Sequence, residues 1–149
     1  ISLLLLLVSV IGISSYFLFK DKINLLDVDH SAVDWNGKKQ KDTSGEENTI
    51  AIPGFEKVTL YANETTQAVN FHNTEINDCY FKISLIHPDG SVLWISDLIE
   101  PGKGMYSIEL EKTLAVGEYE NAVLKYECFS LNDQSPLNGS EINLKLVVV

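Results

Sequence analysis

The chain has 149 residues, 45% apolar and 21% charged; eleven Lys, no Arg and 21 acids leave a formal net charge of −10. That length accommodates one globular domain with an ordinary core. Phosphate contacts need a basic stripe and acids outnumber bases almost two to one, so no nucleic-acid partner is expected and anionic lipid headgroups are disfavoured. In chain order, the first element is an apolar run. Residues 1–19 read ISLLLLLVSVIGISSYFLF without one ionisable side chain, and Lys20, Asp21 and Lys22 follow at once. Nineteen residues in a helix rise about 28 Å, close to the thickness of a bilayer's hydrocarbon core. The run therefore predicts a transmembrane helix acting as a signal-anchor, with the lipid bilayer as the partner of residues 1–19. A cleaved secretory signal ending near Gly12 and Ser14 is the competing reading. Against it, Tyr16, Phe17, Leu18 and Phe19 continue the run, and Tyr16 and Phe17 suit an interfacial aromatic belt.

Residues 20–49 read as a flexible polar linker. Asp, Glu, Lys, Asn, Gly and Ser dominate, and too little apolar surface is present to offset the entropy of ordering. Leu25, Leu26, Val28, Val33 and Trp35 are the exception and could form a patch against membrane or domain. Asp27, Asp29 and Asp34 lack the Gly and closing Glu of a calcium loop, so no metal site is expected there.

From Ile50 the pattern changes to short runs of period two, separated by turn residues. Strands are predicted at 50–52, 57–61, 67–71, 79–86, 92–98, 105–110, 119–129 and 141–149, with breaks at Pro53-Gly54, 73–78, 87–90, 101–104, Gly117 and 133–139. Seven or eight strands at this spacing predict an all-β fold, an antiparallel sandwich over residues 50–149. The alternation points Cys79, Phe81, Ile83 and Leu85 inward, together with Tyr106, Ile108 and Leu110, and Ile142, Leu144, Leu146 and Val148. In the strand 119–129, Tyr119 and then Ala122, Leu124, Tyr126 and Cys128 face inward, a step of three that predicts a bulge around Glu120 and Asn121.

Cys79 and Cys128 are the only cysteines, and both fall on inward faces. A disulfide between them would close a loop of about 50 residues and contribute about 4 kcal/mol by the chain-entropy argument. Together with the anchor it would place the domain in an oxidising, extracytoplasmic space. Two separate buried thiols are the alternative.

The stretch GEYENAVLKYEC, with Tyr126 two residues before Cys128, resembles the penultimate strand of immunoglobulin-like domains, and Cys79, Trp94 and Cys128 stand in the order of their bridge and packed Trp. The resemblance implies an immunoglobulin-like β-sandwich with a tyrosine corner at Tyr126. One departure is visible: the tight HPDG connection makes the strands of Cys79 and Trp94 hairpin neighbours. Anchor, polar stalk and single domain together also look like the surface-exposed proteins of Gram-positive bacteria, and a basic set made only of Lys agrees with an AT-rich genome.

HPDGS leaves two registers open. A type I turn with a Gly bulge pairs His87 with Ser91 and sets Trp94 opposite Ser84 on the outer face; there Tyr80 and Trp94 would form an aromatic platform for a glycan or peptide. A four-residue loop pairs Ile86 with Ser91 and buries Trp94 opposite Ile83. Burial favours the second. No catalytic constellation emerges: His30, His72 and His87 are scattered, Glu109 with Glu111 and Glu118 with Glu120 alternate as solvated faces do, and no phosphate-binding Gly loop occurs. The chain is thus expected to be no enzyme and to need no cofactor. It reads as a single-pass membrane protein whose extracytoplasmic domain is a binding or adhesion module for a protein or glycan. The alternative is a structural subunit of a surface filament or secretion apparatus, since an apolar N-terminal helix before a β head resembles type IV pilins, although Leu5 stands where such pilins carry Glu.

Overall fold

The computed structural model describes residues 25–36 and 50–149. Its strands are β1 (Val33–Asp34), β2 (Lys57–Leu60), β3 (Thr66–His72), β4 (Cys79–Ile86), β5 (Val92–Ile95), β6 (Lys103–Glu109), β7 (Gly117–Ser130) and β8 (Pro136–Val148). They form a three-stranded sheet in the order β1-β6-β3 and a five-stranded sheet in the order β2-β8-β7-β4-β5. Among the described residues no helix is long and apolar enough to cross a membrane; the span expected at residues 1–19 lies outside them.

Period-two patterning sets the core. Cys79, Phe81, Ile83 and Leu85 of β4, Ala122, Leu124, Tyr126 and Cys128 of β7, and Leu144, Leu146 and Val148 of β8 are buried as the alternation predicts. Phe71 of β3 and Ile108 of β6 join them in one buried cluster drawn from both sheets. Phe71 is the junction: its ring meets Phe55 edge-on at 5.5 Å and stacks on Trp94 at 5.8 Å. Burying such side chains stabilises by about 1.5–3 kcal/mol each.

β7 and β8 build a long hairpin with two irregularities. The first lies between Tyr119 and Ala122, where the bulge was expected, and Asn121 takes φ 63°. It sets Glu118 and Glu120 on either side of Lys145, at 2.9 and 2.6 Å. The second lies between Tyr126 and Cys128. There Gly139 passes so close to β7 that a Cβ would stand 2.2 Å from the Tyr126 carbonyl oxygen, so only glycine fits.

Several expectations need correction. β2 pairs with β8 in parallel, Lys57 beside Lys145 through Leu60 beside Val148, so the pairing is not antiparallel throughout. Residues 50–52 form no strand; the Ala51 backbone instead exchanges two 2.8 Å hydrogen bonds with the Asn77 amide. Pro136 to Ser140, read mainly as a break, opens β8, because the second bulge absorbs Gly139. Tyr106 is exposed, because the β3–β6 register shifts between Ala68 and Phe71 and turns it outward, where its hydroxyl accepts a 2.9 Å hydrogen bond from the Asn36 N–H.

The expected linker 20–49 divides. Residues 25–36 lie against the domain as a strap, and 20–24 and 37–49 fall outside the described residues. Asp29 N–H donates to the Leu98 carbonyl (2.8 Å) and Leu98 N–H to the Asp27 carbonyl (3.0 Å). β1 then adds to β6, Val33 beside Gly104 and Asp34 beside Lys103. Asp29, one of the acids that suggested a calcium loop, serves the strap: its carboxylate accepts from the N–H groups of Ser31 (2.9 Å) and Asp97 (3.1 Å).

Candidate functional site

Trp94 resolves the register question in an unexpected way. His87 N–H donates to the Ser91 carbonyl at 2.9 Å and Gly90 takes φ 88°, so the tip follows the turn chemistry of the first register. A bulge then intervenes: Ile86 pairs with Val92 but Leu85 pairs with Trp94. The extra residue, Leu93, returns Trp94 to the core face, where it is 7% exposed. Turn geometry wins at the tip and burial wins two residues later. Tyr80 is half-buried and opposite Phe129 in the β4–β7 ladder, on the other face from Trp94's partner Leu85. The two aromatics are not brought together, and the Tyr80–Trp94 platform is therefore corrected.

Cys79 and Cys128 come together, but not across the two sheets. Cys79 lies opposite Ser130 and Phe81 opposite Cys128, so the cysteines are diagonal neighbours on one face of the same sheet. Both are buried free thiols in the structure rather than the expected disulfide. The neighbouring Cys79 thiol and burial together push the Cys128 thiol above its ordinary range. The tyrosine corner expected at Tyr126 does not form. Tyr126 hydroxyl is buried and has no hydrogen-bond partner among the described residues, so its pKa is pushed up by burial. Tyr119 hydroxyl instead donates to the Ala115 carbonyl at 2.8 Å.

Two residue sets were not assembled by sequence reasoning, although Trp35 was among the residues expected to pack against membrane or domain. Trp35, at the end of the strap, stacks on His72 with ring centroids 3.7 Å apart and planes 6° from parallel, and its Nε1–H donates to Asn70 Oδ1 at 2.7 Å. Gly104 makes room for this clasp: a Cβ there would lie 2.9 Å from both His72 Cβ and the Phe71 carbonyl oxygen. His72 is 1% exposed, its Nδ1 has no partner among the described residues, and burial lowers its pKa from 6.5. The one signal in the sequence was a Trp inside an otherwise polar segment. The second set is Asn73 and Asn77, both buried: Asn73 Nδ2 donates to the carbonyls of Cys79 (2.8 Å) and Ile99 (3.0 Å) and Asn77 Nδ2 to Asn73 Oδ1 (2.8 Å). They close the end of the domain where β3 hands over to β4.

Several strand edges are unpaired among the described residues, and the longest of these stretches lies in β8. Of the thirteen residues of β8, only Lys145 to Val148 pair with β2. Pro136 to Leu144 have β7 on one side and no strand on the other among the described residues. The chain before β2 leaves this edge unpaired because Ala51 is drawn to Asn77 and Phe55 to Phe71. Beside the edge, a shallow groove of about 370 Å³ runs along the hairpin past Lys125, Glu127, Phe129, Leu137 and Glu141. Unpaired backbone N–H and C=O groups on such an edge accept a further strand.

Among the described residues no three His, Cys, Asp or Glu gather as metal ligands. His87 sits on the hairpin tip 3.0 Å from Asp89, whose carboxyl is held well below the ordinary carboxylate range chiefly by hydrogen bonds from Ser91. Glu109 is likewise held low by the hydroxyls of Thr65 and Thr66. These carboxylates are engaged by turns and neighbouring strands.

No family model matches the chain. No curated protein matches it in sequence. Among solved structures, CopC from Methylosinus trichosporium OB3b aligns over 64% of this chain and 86% of its own, at 14% identity and a TM-score of 0.36. A likeness of that degree carries no argument about fold family or function.

Proposed function

We propose that this protein is a membrane-tethered, extracytoplasmic binding module, non-catalytic, whose head is an immunoglobulin-like β-sandwich and whose contact surface is the open edge of β8. The observation behind the reading is the nine-residue stretch Pro136 to Leu144, which no described strand covers. The apolar run 1–19 supports the tether, and the acidic charge argues for a protein or glycan partner over nucleic acid. A partner segment would add as a strand along β8, main-chain hydrogen bonds supplying affinity and the adjoining groove selecting side chains. The edge is guarded only lightly, by Pro136, the bulge at Gly139 and Glu141.

The full chain in lipid nanodiscs, presented to peptide and glycan arrays, tests this. Capture of extended peptides is expected, and lysines at the exposed positions Asn138 and Asn143 should abolish it while leaving the melting temperature unchanged. Uniform silence on both arrays, or capture indifferent to the two lysines, overturns the edge as the contact surface. The extracytoplasmic placement has its own test. In denaturant, Cys79 and Cys128 of the natively expressed chain should resist alkylation until a reductant is added, because an oxidising compartment would join two cysteines that lie as diagonal neighbours on one face of a sheet. Free alkylation in denaturant without reductant counts against it.

A further inference from the structure

The strap sets the distance between the head and whatever holds the N-terminal run. We infer that one end of the head, built from Leu25, Leu26, the β7–β8 turn and the β3–β4 loop, rests on the surface of the bilayer; this rests on the reading of residues 1–19 as a membrane span.

A linker running to residue 49 would let the head roam. The structure instead has residues 25–36 laid against the head, beginning with hydrogen bonds at Leu26. Leu26 N–H donates to Gln134 Oε1 at 2.7 Å, and Gln134 Nε2 donates back to the Leu26 carbonyl at 3.0 Å. Gln134 is itself fixed in the turn, with φ 57° and its N–H donating to the Ser130 carbonyl at 3.0 Å. Only residues 20–24 then separate the span from the head. Five residues reach at most about 18 Å when fully extended. The headgroup layer takes about 6 Å of that, leaving about 12 Å. A head of this size is about 34 Å across, judged from its expected radius of gyration. The tether is shorter than the body it holds, so the end carrying Leu25 is the end that meets the headgroups.

That end is equipped for an interface. Leu25 and Leu26 are exposed, as is Leu131 in the turn beside Gln134. Cys79 pairs with Ser130, so the loop leading into β4, with its exposed Ile76, lies at the same end of the sheet as the turn. Apolar tips of this kind enter the boundary between headgroups and acyl chains. Asp78 and Asp133 at the same end argue for zwitterionic over anionic headgroups. The opposite end, with His87 to Ser91 and the connection from Glu111 to Val116, points away, and the β8 edge runs between the two.

The test uses the full chain reconstituted in phosphatidylcholine vesicles that carry nitroxide-labelled headgroups. An environment-sensitive fluorophore is attached at Asn132→Cys in one sample and at Thr113→Cys in another. Both sites are exposed, whereas Cys79 and Cys128 are buried. Quenching several-fold stronger at 132 than at 113 is expected, falling toward the level at 113 when a long Gly-Ser insert is placed between Asn24 and Leu25. Equal quenching, or stronger quenching at 113, overturns the placement, and Asp133→Cys provides a second reading should the first variant fold poorly. Flotation separates the two levels of the argument. A chain that does not float with the vesicles overturns the membrane span, whereas one that floats with equal quenching overturns only the seat of the head.

Discussion

The strand β6 and the strand β8 face the same difficulty and meet it differently. β6 would be left with one bare side, and the strap covers it with β1 and closes the cover with Trp35 on His72. β8 carries a longer side that is bare among the described residues, where the chain before β2 turns away toward Asn77 and Phe71. Each strand also carries a glycine on which a neighbour presses, Gly104 under the clasp and Gly139 against the Tyr126 carbonyl. The difference separates two states of a strand edge: a sealed edge contributes to folding, and an open one keeps its backbone groups available for pairing.

Substituting the two glycines is the strongest way to break the comparison. Gly139→Ala places a methyl group against rigid backbone, and we expect a loss of about 3 kcal/mol, read from urea denaturation, with the β7–β8 ladder near Tyr126 losing hydrogen-exchange protection. Gly104→Ala meets the Phe71 carbonyl and the His72 side chain and should cost about 2 kcal/mol, with protection lost around Trp35 instead. A change that spreads over both edges in either variant would show that they are not independent.

Next in size is Trp35→Ala, which removes the cover from His72 and a hydrogen bond to Asn70 and is expected to cost about 2 kcal/mol. Proteolysis should then cut within residues 25–36 while the rest of the head persists. Resistance of the strap in this variant would show that the Leu98 and Leu26 contacts hold it unaided.

Acid gives a gentler probe of the same clasp. Burial lowers the pKa of His72 in the folded state below the 6.5 of the free side chain, so near and below that pH the unfolded chain binds more protons than the folded one. The stabilisation is fully present above about pH 6.5 and is lost as the pH falls through that value. Melting temperature should decline from pH 7 to 5, and His72→Gln should flatten that slope. A variant that keeps the full slope would assign the acid sensitivity elsewhere.

The smallest effect is expected at Tyr126→Phe, whose lost hydroxyl is buried without a partner among the described residues. Removing it should leave stability unchanged or raise it by up to about 1 kcal/mol. A clear loss in calorimetry would reveal a partner for that hydroxyl.

Period-two alternation determined the all-β class, the inward faces of β4, β7 and most of β8, and the bulge at Glu120 and Asn121. Each of these depends on neighbours along one strand, where burial on one face and solvent on the other write themselves into successive residues. The burial of Cys79 and Cys128 was legible for the same reason, but not that they stand as free thiols instead of the expected disulfide. Only the tertiary structure decided that they lie diagonally in one sheet, that β2 runs parallel to β8, that Leu93 bulges to bury Trp94, and that residues 25–36 belong to the head. Those outcomes turn on contacts between segments far apart in the chain, such as Trp35 with His72 and Leu26 with Gln134. A strand pattern states which way a side chain points and not which strand will stand beside it. The open edge of β8 was therefore out of reach from sequence, because an edge is defined by the neighbour that is missing.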